Sequence, residues 1–292
     1  MANLKEVRTR IASVSSTQQI TSAMKMVSAA KFRRAQNAIL GMRPYADQLG
    51  EIVSDIGAND EVVTPYHEVR SLTNVLLVVV VSNKGLCGAF NSNVLKEATN
   101  RMDFFAANYP NAKVKMITVG KRATEFFSKR GDFVVGSYDE LLDAPDFDSV
   151  VTLAETIMTQ FCGKQYDRVE LIYNQFKNSL TQILTTEQFL PVVSCQEGEK
   201  VQKGMVSDYI FEPSKAEILR EMVPLTLRSQ FYRVILDSLA AEHGARMTAM
   251  QKATDNATEL LKDLRLSYNK ARQAAITNEI IEIVSGSEAL KG

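Results

Sequence analysis

The sequence predicts an α/β chain in which the N- and C-terminal helices pair as a long antiparallel coiled coil, with a Rossmann-like α/β domain inserted between them. Three observations predict it. Residues 3–43 contain no proline and a single glycine, Gly41. From Leu225 to Ser285 there is again no proline and one glycine, Gly244. Between these stretches, short β-rich runs alternate with helical ones, the pattern of a sheet covered by helices. The expected divisions are a coiled-coil helix over 1–60, an α/β domain over 70–200 and a second coiled-coil helix over 210–286.

In the first segment Leu4, Val7, Ile11 and Val14 fall on a 3-4 spacing that makes one helical stripe. Continuing that register reaches Gln18, Thr21 and Lys25, so the apolar stripe is expected to drift to Ile20, Met24 and Val27 before Ala35, Ile39 and Met42 resume. A drifting stripe favours two helices that wind about each other. Forty helical residues span roughly 60 Å, and Pro44 is expected to end or kink the helix.

The middle of the chain offers β-rich runs at 74–81, 113–119, 132–137, 168–174 and 182–186. Helical runs near 92–108, 121–130 and 148–162 separate the first four, which implies a mainly parallel sheet with the last two strands paired as an antiparallel edge. The final helix opens at Ser214, whose spacing to Glu217 is that of a capping box, and Ile218, Met222 and Leu225 begin its stripe. Pro224 is expected to bend the early turns and Gly286 to stop the helix. Apolar positions continue through Leu236, Met250, Ala257, Leu260, Leu264 and Tyr268 to Ile276, Ile280 and Ile283. A helix running roughly 90 Å needs a partner of comparable length, and within the chain only the N-terminal segment can be that partner.

Composition narrows the function classes. A hydrophobic share of 45% rules out a disordered chain. Three cysteines, Cys87, Cys162 and Cys195, show no paired spacing and suit a reducing compartment. The longest apolar run, 75–81, is far below the ~20 residues of a membrane span, and no signal-peptide core follows Met1, so a soluble, untargeted protein is expected. The net charge of zero conceals an asymmetry. Residues 1–43 carry eight Lys/Arg against Glu6 alone, residues 44–213 carry 15 basic and 23 acidic side chains, and residues 214–285 carry 10 and 9. The first segment therefore wants an acidic partner, and charge alone leaves nucleic acid and protein both open.

An α/β insert invites a nucleotide-site reading. Residues 82–91, SNKGLCGAFN, follow the first strand where a phosphate loop would sit, yet match neither G-x-G-x-x-G nor G-x-x-x-x-G-K-[ST]. Gly120-Lys121 lacks the upstream glycine. Asp139, Glu140, Asp143, Asp146 and Asp148 match no calcium loop and read as a solvated acidic loop. His67 and His243 have no ligand cluster beside them, so no metal and no cofactor is expected, and no residue is assigned a catalytic role. His243 reads as an interhelical polar contact, and Thr254-Asp255-Asn256 and the Gln273/Thr277 pair read as interhelical hydrogen bonds, solvated positions or docking residues. In Met24-Lys25-Met26 two flexible thioethers flank an ammonium. Two rival readings are a nucleotide-binding α/β protein with helical arms and a coiled-coil tether or nucleic-acid-binding arm.

The same stretches closely resemble the γ subunit of F-type ATP synthases, the central rotor stalk. The resemblance covers essentially the whole chain. It rests on Ile11-Ala12-Ser13-Val14 and Thr17-Gln18-Gln19-Ile20-Thr21-Ser22-Ala23-Met24-Lys25-Met26-Val27, on Lys84-Gly85-Leu86-Cys87-Gly88, and on the last fifty residues, notably Ala253-Thr254-Asp255-Asn256-Ala257 and Tyr268-Asn269-Lys270-Ala271-Arg272-Gln273-Ala274-Ala275-Ile276-Thr277. It implies a coiled coil that penetrates a hexamer of alternating α and β subunits, with the α/β domain near the ε subunit and the c-ring. It implies that ion flow turns the ring and stalk, and that the asymmetric stalk biases each β conformation through differential contacts. By matching motif, Met24, Lys25, Lys31, Arg33 and Arg34 would meet an acidic β-subunit lever. Arg246, Arg272, Gln273, Thr277 and Glu279 would face β loops and an apolar sleeve, and Asp208, Tyr209 and Glu212 would lie near the c-ring and ε. No inserted cysteine pair of the chloroplast redox-switch kind is present, so thiol regulation is not expected; the missing presequence implies a bacterial chain, peripheral on the cytoplasmic face of the cell membrane.

Overall fold

The computed structural model describes residues 4–57, 64–131, 133–143, 145–192, 212 and 214–289. Two helices frame it, α1 (Leu4–Gly57) and α5 (Lys215–Ala289). Pro44 lies inside α1, Pro224 inside α5, and Gly286 fails to stop α5. An interior proline removes one backbone donor and frees the carbonyl four residues back. Those carbonyls belong to Leu40 and Arg220, both exposed, so water can satisfy them. The start of α5 follows expectation: the Glu217 backbone N–H donates to Ser214 Oγ at 3.3 Å. The Ser214 hydroxyl donates in turn to Glu217 Oε2, also at 3.3 Å, in place of the backbone bond of a full capping box.

The described chain forms two compact units, Ala29–Ala245, and Met1–Ser28 with Arg246–Gly292. In the first, β1 (Asn74–Val80), β2 (Lys113–Val119), β3 (Val134–Ser137), β4 (Arg168–Phe176) and β5 (Gln182–Leu190) form one sheet in the order β3-β2-β1-β4-β5. The first four strands are parallel and β5 runs antiparallel to β4. Helices α2 (Phe90–Asn108), α3 (Lys121–Phe127) and α4 (Phe147–Cys162) supply the crossovers.

The apolar run of β1 serves both faces by alternation. Val75, Leu77 and Val79 pack with Val94, Ala98 and Phe105 of α2 and with Ala123 and Phe127 of α3. Leu76, Val78 and Val80 share the other face with Val150, Leu153 and Ile157 of α4 and with Leu219, Val223, Leu227 and Phe231 of α5. The opening turns of α5 are thus a layer of the sheet domain, whereas the sequence places them in a coiled-coil stripe. Further along, Ala35 and Ile39 of α1 pack with Leu236 and Ala240 of α5.

Asp167, just before β4, ties that strand to β1. Its Oδ2 accepts from Thr73 N at 2.8 Å, Thr73 Oγ1 at 2.6 Å and Asn74 N at 2.8 Å. Burial pushes the Asp167 carboxyl up, but the bonds from Thr73 and Asn74 outweigh it and hold the group below the usual carboxylate range. A carboxyl lowered in the folded state contributes stability above its unfolded pKa, and that contribution is lost as pH falls through the folded value. Asp167→Ala is therefore expected to destabilise the sheet unit by about 2–3 kcal/mol at pH 7, since charged hydrogen bonds and stranded buried donors are both lost. Urea melts at falling pH should show the gap between wild type and variant closing only below about pH 4.

In the second unit the α1 stripe does not drift. Val7, Val14, Thr21, Ser28 and, at the alternate heptad position, Ile11, Gln18 and Lys25 are all buried or half-buried. Thr21 and Ser28 are 9% and 3% exposed, while Ile20 and Val27 are 57% and 58% exposed. The heptad register holds and the seam itself turns polar. Gln18 Nε2 donates to Thr258 Oγ1 at 2.7 Å, and Thr254 Oγ1 to Thr21 Oγ1 at 2.9 Å. These two pairs mark an antiparallel register. On α5 the seam takes Met250, Ala257 and Leu261, and Leu260, the position expected from the sequence, is exposed. Extending that register places Leu4 opposite about residue 271. Ile276, Ile280, Ile281, Ile283 and Val284 lie past that level, and all five are exposed.

Candidate partner-binding surface

Most of the residues assigned to partner contact fall into three settings. Met24 and Lys25 are half-buried at the helix seam, whereas Met26 is exposed. Ile20 and Val27, spaced about Met24 by four and three residues, make an apolar stripe on the surface of α1. Lys31, Arg33 and Arg34 are exposed on the part of α1 that belongs to the sheet unit. Arg272, Gln273, Thr277 and Glu279 are exposed on α5, with Thr277 Oγ1 donating to Gln273 O at 2.9 Å. They share the end of α5 with the five exposed apolar side chains. Arg246 differs from these: it is 7% exposed and engaged within the chain. Glu212 is exposed, and Asp208 and Tyr209 lie outside the described residues.

Residues 82–91 follow β1 at the strand ends where α/β sheets commonly bind ligands. Here they form a closed turn. Ser82 N donates to Asn91 Oδ1 at 3.0 Å, and Asn91 Nδ2 to Cys87 Sγ at 3.3 Å. Leu86 and Gly88 take left-handed φ of 63° and 62°. The turn buries Cys87 and Phe90 against Ala241 of α5. Its physical role is to seat the sheet on α5, where a side chain at Gly244 would come within 3.3 Å of Ser179 O. Sequence reasoning missed this seat, and its signal is the run of small residues Ala240, Ala241, Gly244 and Ala245.

A polar bracket lies on the same unit. The Tyr173 hydroxyl donates to Glu187 Oε2 at 2.9 Å, and Gln230 and Arg233 of α5 reach Glu187 Oε1. Burial, then the Glu187 charge, pushes the Tyr173 phenol far above its ordinary range, so it remains a donor. Arg228 pairs with Glu155 of α4 at 2.8 Å. In the acidic loop Asp146 caps α4 by accepting from Ser149 N at 3.1 Å. Asp139 accepts from Thr124 Oγ1 at 2.8 Å, and Asp143 from Asn83 Nδ2 at 3.2 Å. These carboxylates have structural work, and among the described residues no group of His, Cys, Asp and Glu is placed to hold a metal ion.

A family model described as ATP synthase matches residues 3–290. The ATP synthase gamma chain of Flavobacterium psychrophilum is 53% identical, with all of both chains covered, and that of Flavobacterium johnsoniae is 54% identical over the same extent. The chain belongs to the ATP synthase γ family. Among solved structures, the central stalk and c-ring of the Tetrahymena thermophila mitochondrial ATP synthase matches with a TM-score of 0.61 and 26% identity, covering 80% of this chain and 99% of that one. The rotor of the Euglena gracilis mitochondrial ATP synthase matches in fold, with a TM-score of 0.67 at 20% identity, covering 94% and 98%. No helix among the described residues is long and apolar enough to cross a membrane.

Proposed function

We propose that the chain is the turning central stalk of an F-type ATP synthase, coupling ion flow through a membrane ring to ATP synthesis and hydrolysis on β subunits. The end-to-end similarity to γ chains carries this reading. The chain contributes no catalytic residue; it works by presenting different side chains to each β subunit as it turns, so each β conformation shifts only by its differential contact energy. The exposed end of α5, with Arg272, Gln273, Thr277 and Glu279 among exposed isoleucines, suits a sleeve that is apolar with polar openings. Met24 and Lys25, bordered by exposed Ile20 and Val27, and the exposed Lys31, Arg33 and Arg34 suit an acidic lever on β. Arg246, 7% exposed and already engaged within the chain, is assigned to the same hexamer contact. Glu212, with Asp208 and Tyr209, is assigned to the c-ring and ε side. The assembly sits peripherally on the cytoplasmic face of a bacterial cell membrane.

Co-purification tests the reading. A tagged chain is expected to bring down α, β and ε subunits together with ATPase activity, and the chain alone to hydrolyse nothing. Recovery of the folded chain without those partners, or nucleotide hydrolysis by the chain alone, would refute it.

A further inference from the structure

We infer that the polar seam around Gln18, Thr21, Thr254 and Thr258 is a compliant joint in the helix pair, a place where α1 and α5 can twist past each other at low cost. The inference rests on the stalk reading for its use, though not for its physics. Above and below it in register, the seam is closed by apolar groups such as Val7, Val14, Met250 and Leu261. Displacing an apolar layer opens a void or exposes carbon, and neither has a substitute partner.

The polar layer behaves differently because each hydroxyl has an acceptor on its own helix. Thr254 Oγ1 lies 2.9 Å from Thr21 Oγ1 across the seam and 2.8 Å from Met250 O along its own helix. Thr21 Oγ1 lies 3.0 Å from Gln18 O, and Ser28 Oγ lies 2.8 Å from Met24 O. Thr258 Oγ1 lies 2.8 Å from Thr254 O. A hydroxyl carries one proton, so Thr254 can exchange its bond across the seam for one along its helix, and no buried donor is stranded. A polar residue that fixes register works in the opposite way, because it has one good partner and loses it on slipping. Gln18 is a long side chain bridging the layer, and its amide is at a site only half-buried, where water can replace Thr258.

Hydrogen exchange on the isolated chain reads the joint without any substitution. Backbone amides in 18–28 are expected to exchange about tenfold faster than those in 7–14, although 7–14 lie nearer the chain end, where fraying alone would reverse the order. The assembled complex reads its function. With the α/β hexamer immobilised and a probe on the sheet domain, the variant Gln18→Leu/Thr21→Val/Thr254→Val/Thr258→Val is expected to show a smaller angular variance than the wild-type chain. Uniform exchange along α1, unchanged variance, or a shift of helix register in the filled variant would each overturn the inference, the last by showing that these residues are a register key. A chain that never joins the hexamer would instead refute the stalk reading, and the exchange result would still stand or fall separately.

Discussion

Cutting the chain after Tyr268 is expected to leave its fold intact and to weaken its grip on an α/β hexamer by about 100-fold or more, with a matching loss of torque. The fold should persist because the register of α1 against α5 runs out near residue 271, so the removed turns contribute little to the helix pair. Thermal melting of the isolated chain should shift by no more than a few degrees. The hexamer, by contrast, loses Ile276, Ile280, Ile281, Ile283 and Val284. Each is worth about 1.5–3 kcal/mol if fully buried. The costs of association and the non-additivity of such contacts leave at least about 3 kcal/mol of lost affinity. Assembly titrations and single-molecule torque measurements check this. Undiminished affinity and torque in the truncated chain would remove the end of α5 from the list of partner contacts, whatever happened at Met24 and Lys25.

How much of this was legible beforehand depends on whether burial follows apolarity. Where it does, sequence periodicity was enough. The run at 75–81 became the central strand, sealed on both faces, and the alternation of strands and helices fixed a parallel sheet with an antiparallel edge. Where burial is arranged by hydrogen bonds between distant residues, periodicity followed the wrong atoms. The apolar path through Ile20 and Val27 drew the reading outward, whereas Thr21 is buried because Thr254, 233 positions away, meets it. The partner of a stripe was equally hidden: Leu219, Val223 and Leu227 form a helical stripe that suits a coiled coil as well as a sheet face. The same limit affects Ile280 and Ile283, whose apolar character announces burial but not by what. For the candidate surface, spacing and charge located the basic stretch on α1, while the assignment of single residues to β, ε or ring contacts came from resemblance. Among them Arg246 differs in setting, since it is nearly buried and engaged inside the chain.

The largest effect within the sheet unit is expected at Glu170, a β4 carboxylate only 1% exposed. Arg101 of α2 grips it through Nε at 2.9 Å and Nη2 at 2.6 Å, and Arg168 Nε adds a third bond at 2.8 Å. The Arg101 guanidinium also lies 4.8 Å and 5.1 Å from the ring centroids of Phe104 and Phe105. Arg101→Ala leaves a buried carboxylate with one of three donors and removes the cover of Phe105, which should cost about 3–5 kcal/mol. Glu170→Ala should cost less, because both arginines are partly exposed and can turn to water. Replacing both partners, Arg101→Leu with Glu170→Leu, should recover much of the loss, since well-packed apolar side chains match or exceed a buried ion pair in stability. For a unit of this size the single Arg101 variant should melt about 6–15 °C lower. The order of the three variants carries the argument. If Glu170→Ala proved the more damaging single change, the carboxylate would be stabilising its surroundings beyond these two arginines. If the double leucine variant were as unstable as Arg101→Ala, the pair would be holding the geometry of α2 on the sheet, and its removal could not be offset by packing alone.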